Sequence, residues 1–596
     1  MNFSQFAKYL EKLESTPKRL EITDILTDLV KDLPQSEVDL GIYLSLGLLK
    51  APFENPKFNI ADKMIIRVLE VAYNRKKDEV KRAYAKLGDL GNVAFELAPQ
   101  KDAGKNSVEK VHKLLIEVAL TEGAGSQDAK ISKLADILKN LDKLSAKYLI
   151  RMVLGTTRLG FSELTVLDAL AQLVSKDKES AKIAKAEIEA KYANYPDIGY
   201  LTKQIKTRGL AGIKNVQIKT GVPILAQKCQ RLSSPQEIIE KMERAWAEFK
   251  FDGTRVQLHL DKSKKVAAKE IEQEGLFQDS PKGHDKKPKI FIKTFTRNQE
   301  ETTHQYPDII SAAEKQVDAQ SAILDGEAIG YNKKTGKFLP LQETMQRKRK
   351  HGVAEAVKNI PLKYFVFDLL YLNGKSLMNK PLIERRKLLK KIIEPGKVIV
   401  VDSHLDTTDS KELAQFLDEA KKKALEGLIA KRPDSDYQAG ARSFAWVKLK
   451  HAVDTTDCVI LGYYHGKGDR SKFGLGGFLA GIYEDKTHSY KTICKVGTGL
   501  TDEQWKYLKR EVDKIKIDQP PTNVKVDKTL FPDVWVKPKI VVELGADEIT
   551  KSPNHTAGLA LKFPRLIKFR DDKGPTDTTS LTEIKDIYKA KKGGSY

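Results

Sequence analysis

The chain has 596 residues, 40% of them hydrophobic, which is too long for one core and apolar enough for ordinary packing, so two to four domains are expected. Lys and Arg exceed Asp and Glu by 104 − 81 = +23; that excess favours a polyanionic partner, nucleic acid ahead of an anionic membrane surface, although on charge alone a solvated lysine-rich surface is an equal alternative. Three scattered cysteines, Cys229, Cys458 and Cys494, argue against a disulfide framework or a four-cysteine zinc module and read as reduced core thiols, and with no membrane-length apolar run and no signal-peptide core at the N-terminus the expected location is the cytoplasm.

Residues 1 to about 205 carry helical spacing, as in Phe3, Phe6, Leu10 and Leu13, and again in Val108, Val111, Leu115 and Val118. "TTRLGFSE" (Thr156 to Glu163) breaks the helices with a Gly and a basic residue and reads as an interhelical turn, with phosphate contact by a backbone amide as the alternative. "RGLAGIKNVQIKTGVP", Arg208 to Pro223, reads as a linker. Strands and helices then mix to about Lys450, with strands expected in "AEFKFDG", "IFIKTFTR", "AILDGEAIGY", "KYFVFDLLYL", "GLIAKR" and "FAWVKLK". From about Thr455 to Arg570 short strands recur between Gly-rich turns, which suits a small β-barrel, and the tail after Gly574 is expected to end in a helix.

The chemistry concentrates at Lys250 in K-x-D-G-x-R. Strand alternation puts Glu248, Lys250 and Asp252 on one side, and Asp252-Gly253 is a turn signal. A lysine between carboxylates on a strand is a candidate covalent nucleophile. A lysine must be neutral to attack, so neighbouring cations or a metal are required to offset the carboxylates. Candidates follow along the chain: Asp325 and Glu327 in "ILDGEAIGY", Glu426 and Lys431 in "LEGLIAKRP", and Lys448 and Lys450 beside Trp446. Carboxylates from separate strands suit Mg²⁺ held with substrate phosphates, and paired lysines suit a triphosphate. Phe367 is placed to stack on a base, with a core aromatic the better reading of that residue alone. The motif K-x-D-G-x-R arises by chance in roughly one or two such chains per hundred, so the order of several motifs decides the matter.

Taken together these stretches resemble the ATP-dependent DNA ligases of the archaeal replicative type, members of the covalent nucleotidyltransferase superfamily. "KFDGTR", "FTRNQEETTHQYPDI", "LDGEAIG", "FVFDLLYLNG", "EGLIAK", "YQAGARSFAWVKLK" and "LKFPRLIKFRDDK" follow the family's order, and the likeness reaches from near the N-terminus to about Lys573. The resemblance implies an all-α N-terminal DNA-binding domain over 1–207, a linker over 208–222, an α+β adenylation (nucleotidyltransferase) domain over 223–452 and a C-terminal β-barrel OB-fold domain with its tail over 453–596. It implies ATP and Mg²⁺ as cofactors, nicked duplex DNA as partner, a monomer, no membrane association, and a sliding clamp as a further candidate partner, although the helical domain shows no convincing clamp-binding peptide.

By the same resemblance Lys250 is the nucleophile and Phe367 stacks on adenine. Glu248 reads the base edge, and Arg255, Arg297 and Glu327 position the ribose. Arg442, Lys448 and Lys450 contact phosphate, Glu327 and Glu426 hold the metal, and Arg565, Arg570 and Lys573 help pyrophosphate leave. Two features depart from the family pattern. A charged insert, roughly Asp261 to Pro288, reads as a mobile surface loop, and Lys562 stands where the barrel motif usually opens with Arg, which keeps the charge and loses the bidentate fork. RNA ligases and capping enzymes share the lysine chemistry, but the long helical region argues against them. NAD-dependent ligases would be expected to bring a zinc module. A non-catalytic nucleic-acid-binding protein is the rival from another class, and the intact Lys250, Glu327, Glu426 and Lys448 argue against it. A sequence-indifferent binder of DNA backbone should lose affinity steeply as salt rises; titration of nicked duplex at low and moderate salt checks this, and equal affinities would contradict it.

Overall fold

The computed structural model describes residues 1–100, 106–266, 289–339, 341–347, 353–423, 425–450, 455–466 and 473–593. Residues 267–288 of the charged insert lie outside the described residues. The chain divides into two compact units. One comprises Met1–Gln230, Phe251–His404 and Lys431–Val447; the other comprises Arg231–Lys250, Leu405–Ala430 and Lys448–Tyr596. The stretch 223–452 is thus shared between the two.

The first unit opens with a run of helices from Phe3–Glu14 to Ile198–Arg208. Their apolar stripes merge into one core that includes Phe3, Phe6, Leu10, Val108, Val111 and Leu115, the residues whose spacing signals helix. Side-chain caps start several of them: Asn2, Asp89, Ser107, Asp142 and Asp197 each accept from a backbone N–H of the first turn. "TTRLGFSE" is the turn between two of these helices, with Arg158 at φ 58° and its Nε 3.2 Å from Asp89. The segment read as a linker is not a free tether. It begins with a short 3₁₀ turn, Gly209–Ile213, and Ile213 and Val216 join the helical core while Val222 packs with Ala51, Phe53 and Phe295. Its apolar residues are spaced between glycines, so composition hides that burial.

The same unit holds a six-stranded sheet. Its order is Lys289–Thr296, Thr254–Val266, Ser321–Gly330, Leu362–Leu372 and Lys375–Ser376, with Ile399–Val401 pairing in parallel to the fourth. A β-bulge lies between the third and fourth strands: Asp325 pairs with Asp368 but Gly326 pairs with Val366. Phe367 is the extra residue of that bulge, the device that re-aims a side chain beside a site. The helix Leu382–Ile392 locks this place from behind. Arg385 makes a bidentate pair with Asp368, at 2.7 and 2.9 Å, and Arg386 donates to the Phe367 carbonyl at 2.9 Å.

In the second unit the strand Ala245–Lys250 lies between Leu405–Thr407 and the strand that begins at Gly427. A strand-rich barrel-like body follows. Thr455–Tyr464 pairs with Gly477–Glu484, Val534–Val536 and Val541–Gly545, and the last of these pairs with Arg565–Phe569. Its core gathers Cys458, Phe478, Ile493, Cys494 and Trp505, and the helix Leu581–Gly593 adds Leu581 and Ile584. All three cysteines are free thiols. No helix among the described residues is long and apolar enough to cross a membrane.

Candidate active site

Lys250 is the last residue of its strand. Asp252 and Gly253 form the bend that follows, so Asp252 is not on the strand face with Glu248 and Lys250, because Asp-Gly ends the extended backbone before it is reached. Glu248 is buried at 2% exposure. Phe249 stacks on Phe416 at 4.3 Å, and Lys423 lies over the Phe249 ring, which fixes the strand's end from its other face.

The Lys250 ammonium ion-pairs with Glu426, and the backbone N–H of Glu426 donates to the Lys250 carbonyl at 3.0 Å. Lys450 reaches the other Glu426 oxygen at 2.5 Å and Asp547 at 2.6 Å; Asp547 in turn accepts from Arg565 at 2.8 Å. The result is an alternating chain of charges, lysine, glutamate, lysine, aspartate and arginine, that begins at the candidate nucleophile and ends in the barrel motif. Gly427 makes it sterically feasible. Its φ is +142°, and a Cβ there would lie 2.1 Å from the Leu449 carbonyl oxygen and 2.9 Å from the Lys450 Cα, so only glycine lets Glu426 come this close to Lys450.

Burial opposes ionisation of Glu426, yet the Lys250 and Lys450 ammonium groups outweigh it and hold the carboxyl below its usual range. Asp547 behaves alike: burial is outweighed by Lys450 and Arg565. Burial would lower Lys450, but Asp547 and Glu426 raise it above the ordinary lysine value. Arg570 and Lys573 both pair with Asp457, at 3.0 and 2.7 Å, and Lys562 pairs with Glu548 at 3.1 Å. Lys448 is half-buried on the same strand face as Lys450.

The first unit carries the other predicted residues. Arg255 is directly opposite Glu327 across its strand pair, and the Gly253 position leaves room for the Glu327 side chain, since a Cβ there would sit 2.9 Å from Glu327 Cγ. The Arg255 guanidinium turns to Asp325, bonding it through Nε at 3.0 Å and Nη2 at 2.6 Å, and lies 5.3 Å from the Phe367 ring. Phe367 meets Trp446 edge-on at 5.8 Å, and Lys431 lies 4.3 Å from both rings. Arg297 and Arg442 are exposed, the first in the turn after its strand and the second at the start of its own.

Among the described residues no group of three or more His, Cys, Asp or Glu side chains is placed to hold a metal ion. The two carboxylates expected to hold Mg²⁺, Glu327 in the first unit and Glu426 in the second, are oxygen donors of the kind this ion takes together with water and substrate phosphates.

Three family models match in chain order: "DNA ligase N terminus" over 2–171, "ATP dependent DNA ligase domain" over 285–450 and "ATP dependent DNA ligase C terminal region" over 471–573. A "Probable DNA ligase" of Dictyoglomus turgidum is 38% identical over 99% of this chain and 98% of that protein. The chain belongs to the ATP-dependent DNA ligases, and its likeness to archaeal ligases makes it of the archaeal type. A "DNA ligase 2" of Thermofilum pendens is 35% identical and a "DNA ligase" of Sulfolobus acidocaldarius 34% identical, each over 99% of this chain and 98% of that protein. The solved structure "Pmar-Lig_Pre" shares the fold, with a TM-score of 0.54 at 16% identity, covering 95% of this ligase and 99% of that chain.

Sequence reading missed one residue in each unit. Asp547 sits in the turn before Glu548–Lys551, 97 residues from Lys450. Tyr437 opens the stretch "YQAGARSFAWVKLK", and its hydroxyl bonds both Arg255 and Asp325, at 3.1 and 2.8 Å. A lone carboxylate after Gly-Ala and a lone tyrosine before a loop carry no spacing signal that separates them from their neighbours.

The lowered Glu426 and Asp547 carboxyls contribute stability that is present above their ordinary pKa of about 4 and lost as the pH falls through the lower native values. Asp547→Asn should therefore melt below the unaltered chain at pH 7, and the gap should close progressively below about pH 4. Melting curves across pH 3–7 check this; a gap of equal size at both ends would contradict the charge chain.

Proposed function

We propose that this ligase seals nicks in duplex DNA with Lys250 as its covalent nucleophile. The observation that carries the reading is Lys250 at the end of a braced strand, its amine against Glu426 and Glu426 shared with Lys450. A lysine presented there has a phosphate-compensating cation two contacts away.

In this reading ATP enters with adenine against Phe367 and its edge read by Glu248. Arg255, Arg297 and Glu327 position the ribose and nearby groups. Lys448, Lys450 and Arg442 take the phosphates, so the incoming triphosphate displaces the carboxylate partners of Lys450. Glu327 and Glu426 hold Mg²⁺, which when bound adds positive charge beside the triphosphate. The neutral Lys250 amine attacks the α-phosphorus, an N–P bond forms, and the bond to the pyrophosphate oxygen breaks. Arg565, Arg570 and Lys573 exchange their barrel carboxylates for the departing pyrophosphate. AMP then passes to the 5′-phosphate of the nick, and the 3′-hydroxyl displaces it. The chain works as a monomer in the cytoplasm, and its helices and barrel contact the duplex through backbone phosphates.

Lys250→Ala should take up no AMP from radioactive ATP while binding nicked duplex within about twofold of the unaltered chain, because the charges that meet DNA phosphates remain. Labelling of the variant would remove Lys250 from the nucleophile's place.

A further inference from the structure

We infer that Tyr437 is a positioning residue for ATP, acting through Arg255. The inference rests on the reading of Phe367 as the surface that adenine meets. The Tyr437 hydroxyl is a buried junction of three bonds. It donates to Asp325 Oδ2 at 2.8 Å, accepts from Arg255 Nη2 at 3.1 Å and accepts from the backbone N–H of Gln227 at 3.0 Å. The Gln227 carbonyl accepts from Arg255 Nη1 at 2.8 Å, and the Gln227 side-chain oxygen accepts from the N–H of Gln438, so the loop that carries Tyr437 is tied back to the same junction.

Arg255 therefore has four of its five N–H groups engaged by Asp325, Tyr437 and the Gln227 carbonyl. A guanidinium held in this way has one orientation. Its Cζ lies 5.3 Å from the centre of the Phe367 ring and 5.6 Å from that of Trp446, and Tyr437 itself meets Trp446 edge-on at 5.7 Å. Phe367 projects from a β-bulge, where the backbone alone fixes it least, and Arg255 packs against its ring. Arg255 is 182 residues from Tyr437 in sequence. One hydroxyl thus joins the nucleophile segment, the Asp-Gly-Glu strand and the loop leading to the phosphate-contacting lysines.

Without the hydroxyl, Arg255 Nη2 and the Gln227 N–H lose an acceptor and Asp325 loses a donor, while the ring packing against Trp446 stays. Tyr437→Phe should raise the KM for ATP in self-adenylylation about tenfold, the effect of losing a hydrogen bond to a charged group. The kcat of that step, the melting midpoint and the sealing of a pre-adenylylated nick should stay near those of the unaltered chain. Arg255→Lys removes the fork through which Tyr437 acts, so Tyr437→Phe in that background should change the KM by less than about twofold.

An unchanged KM in Tyr437→Phe, or the full tenfold effect again in the Arg255→Lys background, would overturn the inference. A loss of melting midpoint and sealing together with the KM would also overturn it, by marking Tyr437 as merely structural. If Tyr437→Phe fails to fold, a fluorinated tyrosine at 437 keeps the ring and weakens the oxygen as an acceptor. A raised KM for ATP is then expected, and an unchanged one overturns the inference. No AMP adduct on the unaltered chain overturns this inference and the functional reading together; an adduct there with an unchanged variant KM overturns this one alone.

Discussion

The central constraint is that a lysine meant to attack a phosphate must be kept among cations without being repelled by them. The second unit meets it with an alternating chain, Lys250, Glu426, Lys450, Asp547 and Arg565. Each carboxylate lies between two cations, and that pairing outweighs the burial that opposes charge at Glu426, Lys450 and Asp547. The arrangement also stores its own replacement. In the proposed reading a triphosphate supplies the negative charge that Lys450 and Arg565 meet when they leave Glu426 and Asp547. Asp457 plays the corresponding part for Arg570 and Lys573.

The first unit solves a different problem, that of rigidity. Phe367, the aromatic proposed to meet adenine, lies in a bulge, and arginines brace it: Arg255 packs on its ring, Arg386 bonds its carbonyl and Arg385 clamps the next residue, Asp368. Arginine suits this because its planar fork fixes orientation as well as charge. Burying guanidinium groups is costly unless every one is paired. Here Asp325 and Asp368 supply bidentate partners, and backbone carbonyls take further donors.

Much of this was legible in the sequence, and the reasons are local. The strands around Lys250, Glu327, Phe367 and Lys450 announce themselves by alternation and by β-branched and aromatic residues, and the N-terminal helices by apolar stripes. What was not legible is long-range. Asp547 matters because folding brings it to Lys450, and Tyr437 because folding brings it to Arg255. The 208–222 segment reads as a linker because glycines punctuate it and a proline follows, yet Ile213, Val216 and Val222 are buried. The bend at Asp252 shows the opposite case: the turn signal was present in the sequence and overrides the strand alternation that would have put Asp252 beside Lys250.

The most direct test of the account is intact mass after incubation with ATP and Mg²⁺, repeated with NAD⁺. The account predicts a gain of one AMP with ATP alone, lost again when nicked duplex is added. No gain with either nucleotide, from folded and nucleotide-free protein, would contradict it.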